Sequence, residues 1–247
     1  MNEVVIVGGL VPSLLIEQEH LPENVNRHVG TLDLDVGLAF ALVGEERYKE
    51  IAERLWHAGF KPDENAEGKP TRQRWRISDP PVTVDFLIEP EDANAKPGSL
   101  FSLTKDWAAI VAPGLHLAFK DNRMVTINGL TITGERASRD IRVCEAGAYV
   151  VLKALAFRSR GENKDAYDLL YLLRNYGRGP EDVAALLRPL IDDKSAQNAL
   201  SYLREDFLDP ENIGPRRVAE FLYGRPDPDI QADTVGFVRI FIAACDS

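Results

Sequence analysis

At 247 residues with 45% hydrophobic content, the chain is long enough to bury one large core or two smaller ones, which sets it apart from disordered proteins. A net charge of -10 and a pI near 5.0 exclude coating of nucleic acid through a bulk basic field, and leave room only for a local basic groove. Cys144 and Cys245 are too few and too far apart for a disulfide framework, no window approaches the roughly 18 apolar residues of a membrane span, and the start MNEVVIVGGL lacks basic residues; together these point to a cytoplasmic protein without a membrane partner.

In chain order, Glu3 to Val7 is a β-branched apolar run that predicts a buried strand, and it ends on Gly8-Gly9, the signature of a tight turn. A helix is expected from Pro12, a residue suited to a first turn. Leu32-Asp33-Leu34-Asp35-Val36 alternates apolar and acidic, so a strand there puts both aspartates on one face. Residues 45 to 58 carry Ile51, Ala52, Leu55 and Ala58 at helical spacing, with Gly59 as the capping residue. RQRWRIS and VTVDFLI flank Asp79-Pro80-Pro81 and read as antiparallel neighbours, with Asp85 on the polar side of the second. From 91 to 140 the expectation is short strands, such as Arg123 to Ile127 and Leu130 to Ile132. Helices follow over 145–159, 164–176, 180–191, 195–206, 214–223 and 233–244, broken at Gly177, Gly179-Pro180, Asp209-Pro210 and Pro226. Two domains are expected, 1–140 and 141–247.

Two carboxylates side by side on one face repel each other unless a cation or good solvation compensates them. Magnesium suits such a gap, because it takes hard oxygen ligands and completes its shell with waters and substrate phosphates. A half-exposed strand whose aspartates simply meet water gives the same alternation, and a Gly-Gly pair is also an ordinary turn. The combination is more specific: a strand ending in Gly8-Gly9, whose amides can hold phosphates, then Asp33 and Asp35, then Asp85 on a later strand.

Arg72, Arg74 and Arg76 alternate, so on a strand they share a face. On an exposed edge they would serve solvation and protection; paired with 82–88 they would flank Asp85. Asp165 and Asp168 lie at i and i+3, a repulsive pair that calls for a nearby cation. Lys153 sits among Val150, Val151, Leu152, Leu155 and Ala156, so its ammonium must reach a partner, either these aspartates in a salt bridge or a nucleotide phosphate. Arg158 and Arg160 add a second basic cluster. A dinucleotide-binding oxidoreductase is disfavoured, since VVIVGG is not followed by G-x-G-x-x-G and Pro12 falls where its helix would settle. The histidines at 20, 28, 57 and 116 have no zinc-finger spacing.

These residues resemble the nucleotidyltransferase superfamily typified by DNA polymerase β, and within it the AbiEii-like toxin nucleotidyltransferases. The resemblance lies in VVIVGG at 4–9, RHVGTLDLDV at 27–36, VDFLI at 84–88 and KALAFRSRGENKDAYDLLYLL at 153–173. In the last stretch Lys153 and Lys164-Asp165-Ala166-Tyr167-Asp168-Leu169 match the family's lysine helix and its basic-Asp-x-x-Asp-Leu segment. The Gly9 to Asp33 interval is longer than in many relatives, and Leu10-Val11 replaces small polar residues. The resemblance implies an α+β fold with a mixed sheet, flanking helices and a C-terminal helical bundle. It implies Mg2+, with Mn2+ as a substitute, on Asp33, Asp35 and Asp85; catalytic roles for Lys153, Asp165 and Asp168; and nucleotide contacts from Gly8, Gly9, Ser13, Lys153 and Arg158. The implied partners are a nucleoside triphosphate, a tRNA or other RNA acceptor, and a cognate antitoxin protein. A nucleotide-binding module of the same fold without turnover is the alternative.

Overall fold

The computed structural model describes residues 4–23, 25–39, 45–79, 81–90, 95–131 and 134–247; Glu3 and Ile132, at the ends of two predicted strands, lie outside them. The chain divides into two compact units, Met1–Leu10 with Gly30–Val143, and Val11–Val29 with Cys144–Ser247. The segment Val11–Val29, with its short helix α1 (Val11–Leu15), therefore groups with the helical unit, whereas a division at 140/141 leaves it with the first.

The first unit is built on a mixed sheet. Its strands are β1 (Val4–Val7), β2 (Asp33–Leu38), β3 (Lys61–Glu64), β4 (Pro70–Ser78), β5 (Pro81–Ile88), β6 (Leu100–Ser102), β7 (Ala108–Val111), β8 (Asn122–Leu130) and β9 (Arg136–Cys144). The order is β3-β4-β5-β2-β1-β9-β8, with β7 beside β5 and β6 beside β7. β2 and β5 run parallel, β1 is antiparallel to β2, and β4 is antiparallel to β5. The α+β architecture read from the sequence is the one observed.

Alternation decides which face is core. Leu34, Val36, Val84, Phe86 and Trp75 pack with Leu38, Ile88, Tyr48 and Trp107, and helix α2 (Glu45–His57) contributes Ile51, Ala52 and Leu55 to the same cluster. On the opposite face, helix α3 (Leu115–Lys120) brings Leu115 against Gly37, where an added Cβ would lie 2.9 Å from Leu115 Cδ1. That face is covered at Gly37, while two residues earlier it presents Asp35.

The second unit is helical: α4 (Ala146–Arg160), α5 (Asn163–Asn175), α6 (Pro180–Leu187), α7 (Lys194–Phe207), α8 (Ile213–Tyr223) and α9 (Pro228–Cys245). α4 carries Tyr149, Val150, Val151, Ala154 and Phe157 into the core. It starts where the Glu145 side chain accepts from the Ala146 N–H and ends on left-handed Gly161, two devices that satisfy otherwise unpaired end groups. α9 begins five residues before its predicted start, because Asp227 caps the Ile230 N–H and Pro228 occupies the first turn. Among the described residues no helix is long and apolar enough to cross a membrane.

Candidate functional site

Register places Asp35 and Asp85 in one row across the sheet. Arg74 pairs with Asp85, Asp85 with Asp35, and Asp35 with Val7, and residues opposite each other in a ladder project to the same face. Asp33 lies one pleat along, opposite Thr83. Both oxygens of Asp33 are engaged by hydroxyls: the Thr83 Oγ1–H donates to Oδ1, and the Thr31 Oγ1–H reaches Oδ2 at 3.5 Å. Asp85 is buried and bound in a fork, with Arg74 Nε donating to Oδ1 at 2.8 Å and an Arg74 Nη to Oδ2 at 2.5 Å. The hydrogen bond to Asp85 is the main cause that raises the Arg74 pKa above its ordinary value; burial opposes it, and the charges of Asp85, Asp33 and Asp63 add to it.

The other two arginines of β4 have separate partners. Arg76 pairs with Asp63 at 3.1 Å, and Arg72 donates to the Lys105 carbonyl at 3.4 Å. β4 lies between β3 and β5, so edge protection does not account for its arginines.

β1 delivers the backbone to Gly8, which opens the 3-10 turn Gly8–Leu10 with φ of +73°. A Cβ at Gly8 would stand 2.6 Å from Asp35 Cγ and 2.7 Å from Asp35 Cβ. The glycine thus lets backbone and carboxylate approach each other, besides adopting a left-handed conformation that costs other residues roughly 1–2 kcal/mol. Gly8→Ala is expected to displace Asp35 and to lower the thermal midpoint by at least several degrees, read by circular dichroism; a midpoint equal to wild type would show that the close approach carries no constraint.

Three carboxylates on adjoining strands fit a hard divalent cation in donor type and in charge, with the Gly8 backbone packed against the Asp35 carboxylate. Among the described residues the carboxylates are not already gathered into a cluster of three or more groups able to hold a metal.

The second unit holds a separate polar network. The Lys153 Nζ donates to Asp165 Oδ1 at 2.8 Å and to Asp168 Oδ2 at 2.7 Å. Arg160 forks onto Asp165 at 2.6 and 2.8 Å, and Lys164 donates to Asp168 Oδ1 at 2.7 Å. The cation that the Asp165/Asp168 spacing demands is therefore present three times. Two of the three Lys153 donors go to carboxylates, the salt-bridge arrangement. Burial disfavours the Lys153 charge, but Asp168 and Asp165 outweigh it and raise its pKa. Burial likewise pushes Asp168 up, yet the His28 hydrogen bond with Lys153 and Lys164 brings it down to about 2, and Asp165 is lowered against burial by Arg160 and Lys153.

His28 is the residue that sequence reasoning missed. Its Nε2 meets Asp168 Oδ1 at 2.9 Å and its Nδ1 meets Ser13 Oγ at 2.8 Å. Tyr167 stacks on the ring at 5.5 Å, Tyr171 tilts against it at 4.7 Å, and the Gln18 side-chain Oε1 accepts from both the His28 backbone N–H and the Tyr171 hydroxyl. An ionised Asp168 only accepts, so in neutral His28 the proton sits on Nε2, and the Ser13 hydroxyl then donates to Nδ1. Ser13 is thus tied into the helical unit, while Gly8 and Gly9 belong to the first. Arg158, expected near nucleotide, is engaged with Asp206 at 2.7 Å and Glu205 at 2.8 Å.

The depressed Asp168 pKa has a pH signature. Its folded value of about 2 lies below the ordinary 3.8, so the stabilisation is complete above about pH 4 and is lost as pH falls through 2. That gap amounts to about 2 kcal/mol. Urea denaturation of wild type and Asp168→Asn should show the difference between them shrinking across this window; a difference that stays constant with pH would contradict the network.

No protein-family model matches the chain, and no curated protein matches it in sequence. Among solved structures it is similar to an antigenic nucleotidyltransferase-like protein from Paracoccidioides brasiliensis, at 13% identity over 81% of this chain and 78% of that one, with a TM-score of 0.37. The functional reading rests on the residues and not on this slight likeness.

Proposed function

We propose that the chain is a divalent-metal-dependent nucleotidyltransferase that moves a nucleoside monophosphate from a nucleoside triphosphate to an acceptor hydroxyl. The observation that carries this reading is the row in which Asp35 and Asp85 face each other on parallel strands, with Asp33 beside them and Gly8 against Asp35. Adjacent like charges on a sheet are unfavourable, and a cation that binds both turns the cost into affinity. Asp33, Asp35 and Asp85 would hold Mg2+ or Mn2+, which when bound supplies positive charge for phosphoryl transfer.

The protein's own groups have distinct tasks in this reading. The Thr31 and Thr83 hydroxyls orient the Asp33 carboxylate, so its lone pairs are set before ligand arrives. The turn Gly8–Leu10 offers backbone N–H groups to phosphate oxygens. The acceptor hydroxyl would lose its proton near Asp85 and attack the α-phosphorus as pyrophosphate departs in line, with catalysis supplied mainly by positioning and charge. The network around Lys153 orders α4 and α5.

The AbiEii-like sequence resemblance extends this to a toxin-type enzyme with an RNA acceptor, such as tRNA, and a cognate antitoxin protein. Buried Cys144 and Cys245, not joined in a disulfide, agree with a cytoplasmic setting. Incubation with Mg2+, the four triphosphates and total RNA should release pyrophosphate, and chelation should stop it. Release of inorganic phosphate alone, or no dependence on a divalent ion, would contradict this function.

A further inference from the structure

We propose that Arg74 is a built-in competitor for the metal: its guanidinium holds both oxygens of Asp85 and must be displaced before Asp85 can ligate a divalent cation. The inference rests on the metal-dependent reading above and adds a positioning residue to it.

Three observations converge. Arg74 occupies both oxygens of Asp85, at 2.8 and 2.5 Å, so neither is offered to a metal while the fork is closed. Fork geometry of this kind is the strong form of a charge-assisted hydrogen bond. The pair is fixed by register, since Arg74 and Asp85 are directly opposed on β4 and β5. The two side chains also differ in exposure: Asp85 is 5% exposed and Arg74 39%. Asp85 is therefore held in place, whereas the guanidinium has a solvent side toward which it can swing.

Electrostatics favours an exchange over coexistence. A guanidinium and a divalent ion on one carboxylate repel each other, and Asp33, which also attracts Arg74, would be drawn to the metal at the same time. Once released, Arg74 keeps its position in the row, and a bidentate fork that suits a carboxylate suits a phosphate equally. The other arginines of β4 cannot substitute, since Arg76 is paired with Asp63 and Arg72 reaches a backbone carbonyl.

The test is Mn2+ binding to the full chain without nucleotide, followed by the electron paramagnetic resonance signal of free Mn2+. Wild type, Arg74→Lys, Arg74→Ala and the control Arg72→Ala are compared, with circular dichroism confirming the fold. Arg74→Ala should bind Mn2+ about tenfold more tightly than wild type, a difference of one decade in Kd. Arg74→Lys, which keeps a point charge and loses the fork, should fall between, and Arg72→Ala should match wild type. Damage to the site lowers affinity, so a rise separates exchange from a structural role. Equal or weaker binding by Arg74→Ala, with binding by wild type intact, overturns the exchange alone. Absence of Mn2+ binding in every protein overturns the exchange together with the metal-dependent reading.

Discussion

Asp35→Asn is expected to lower nucleotidyl transfer by about 10³-fold while leaving the fold in place. Metal charge at a phosphoryl transition state supplies several kcal/mol, and each 1.36 kcal/mol is a tenfold change in rate. Asparagine keeps the shape of the side chain beside Gly8 but loses the charge that a hard cation requires. Because Asp35 faces Asp85 across the ladder, the substitution also removes a repulsion worth a few tenths of a kcal/mol, so stability should not fall. Turnover with Mg2+ and the thermal midpoint measured on the same preparation decide the matter. Near-normal turnover in a folded Asp35→Asn protein would remove this residue from the chemistry.

The largest effect on stability is expected at Lys153. Its ammonium lies between two carboxylates in a buried site, and Lys153→Met leaves both in place without the cation they share. Breaking a buried pair in this way costs about 3–5 kcal/mol; the lower end applies here because Arg160, Lys164 and His28 still reach the aspartates. A loss of about 3 kcal/mol corresponds to roughly 6–12 °C in the thermal midpoint for a chain of this size. Adding Asp168→Asn to Lys153→Met should cost less than the sum of the two, since the second change removes a carboxylate that the first left under-compensated. Strict additivity would mean that the two side chains do not act as a pair.

The parts of this account that were legible in the sequence are those with short periods. The alternation over 32–36 puts Asp33 and Asp35 on one face, VTVDFLI does the same for Asp85, and the expected antiparallel pairing of RQRWRIS with VTVDFLI is the one that sets Arg74 opposite Asp85. Turn and capping signals place most helix ends to within a residue or two, as at Gly179-Pro180.

What escaped has a common physical origin in long-range contact. His28 is an isolated histidine in a polar stretch, and nothing local pairs it with Asp168, 140 positions later. The grouping of Val11–Val29 with the helical unit depends on that contact and on the Val29 N–H donating to the Tyr167 hydroxyl at 3.0 Å, not on any periodicity of its own. The sequence of 91–140 predicts short strands, whereas β8 and β9 each run nine residues. Much of β8 is exposed on both faces, so no apolar alternation announces its length.

The most direct measurement incubates the purified protein with Mg2+, total bacterial tRNA and each of the four α-labelled nucleoside triphosphates, beside an Asp33→Ala/Asp35→Ala control. Label transferred to RNA by the intact protein and by no other preparation is the predicted result. Nucleotide binding without label in any lane would contradict it, and would identify a nucleotide-binding module that lacks turnover on RNA.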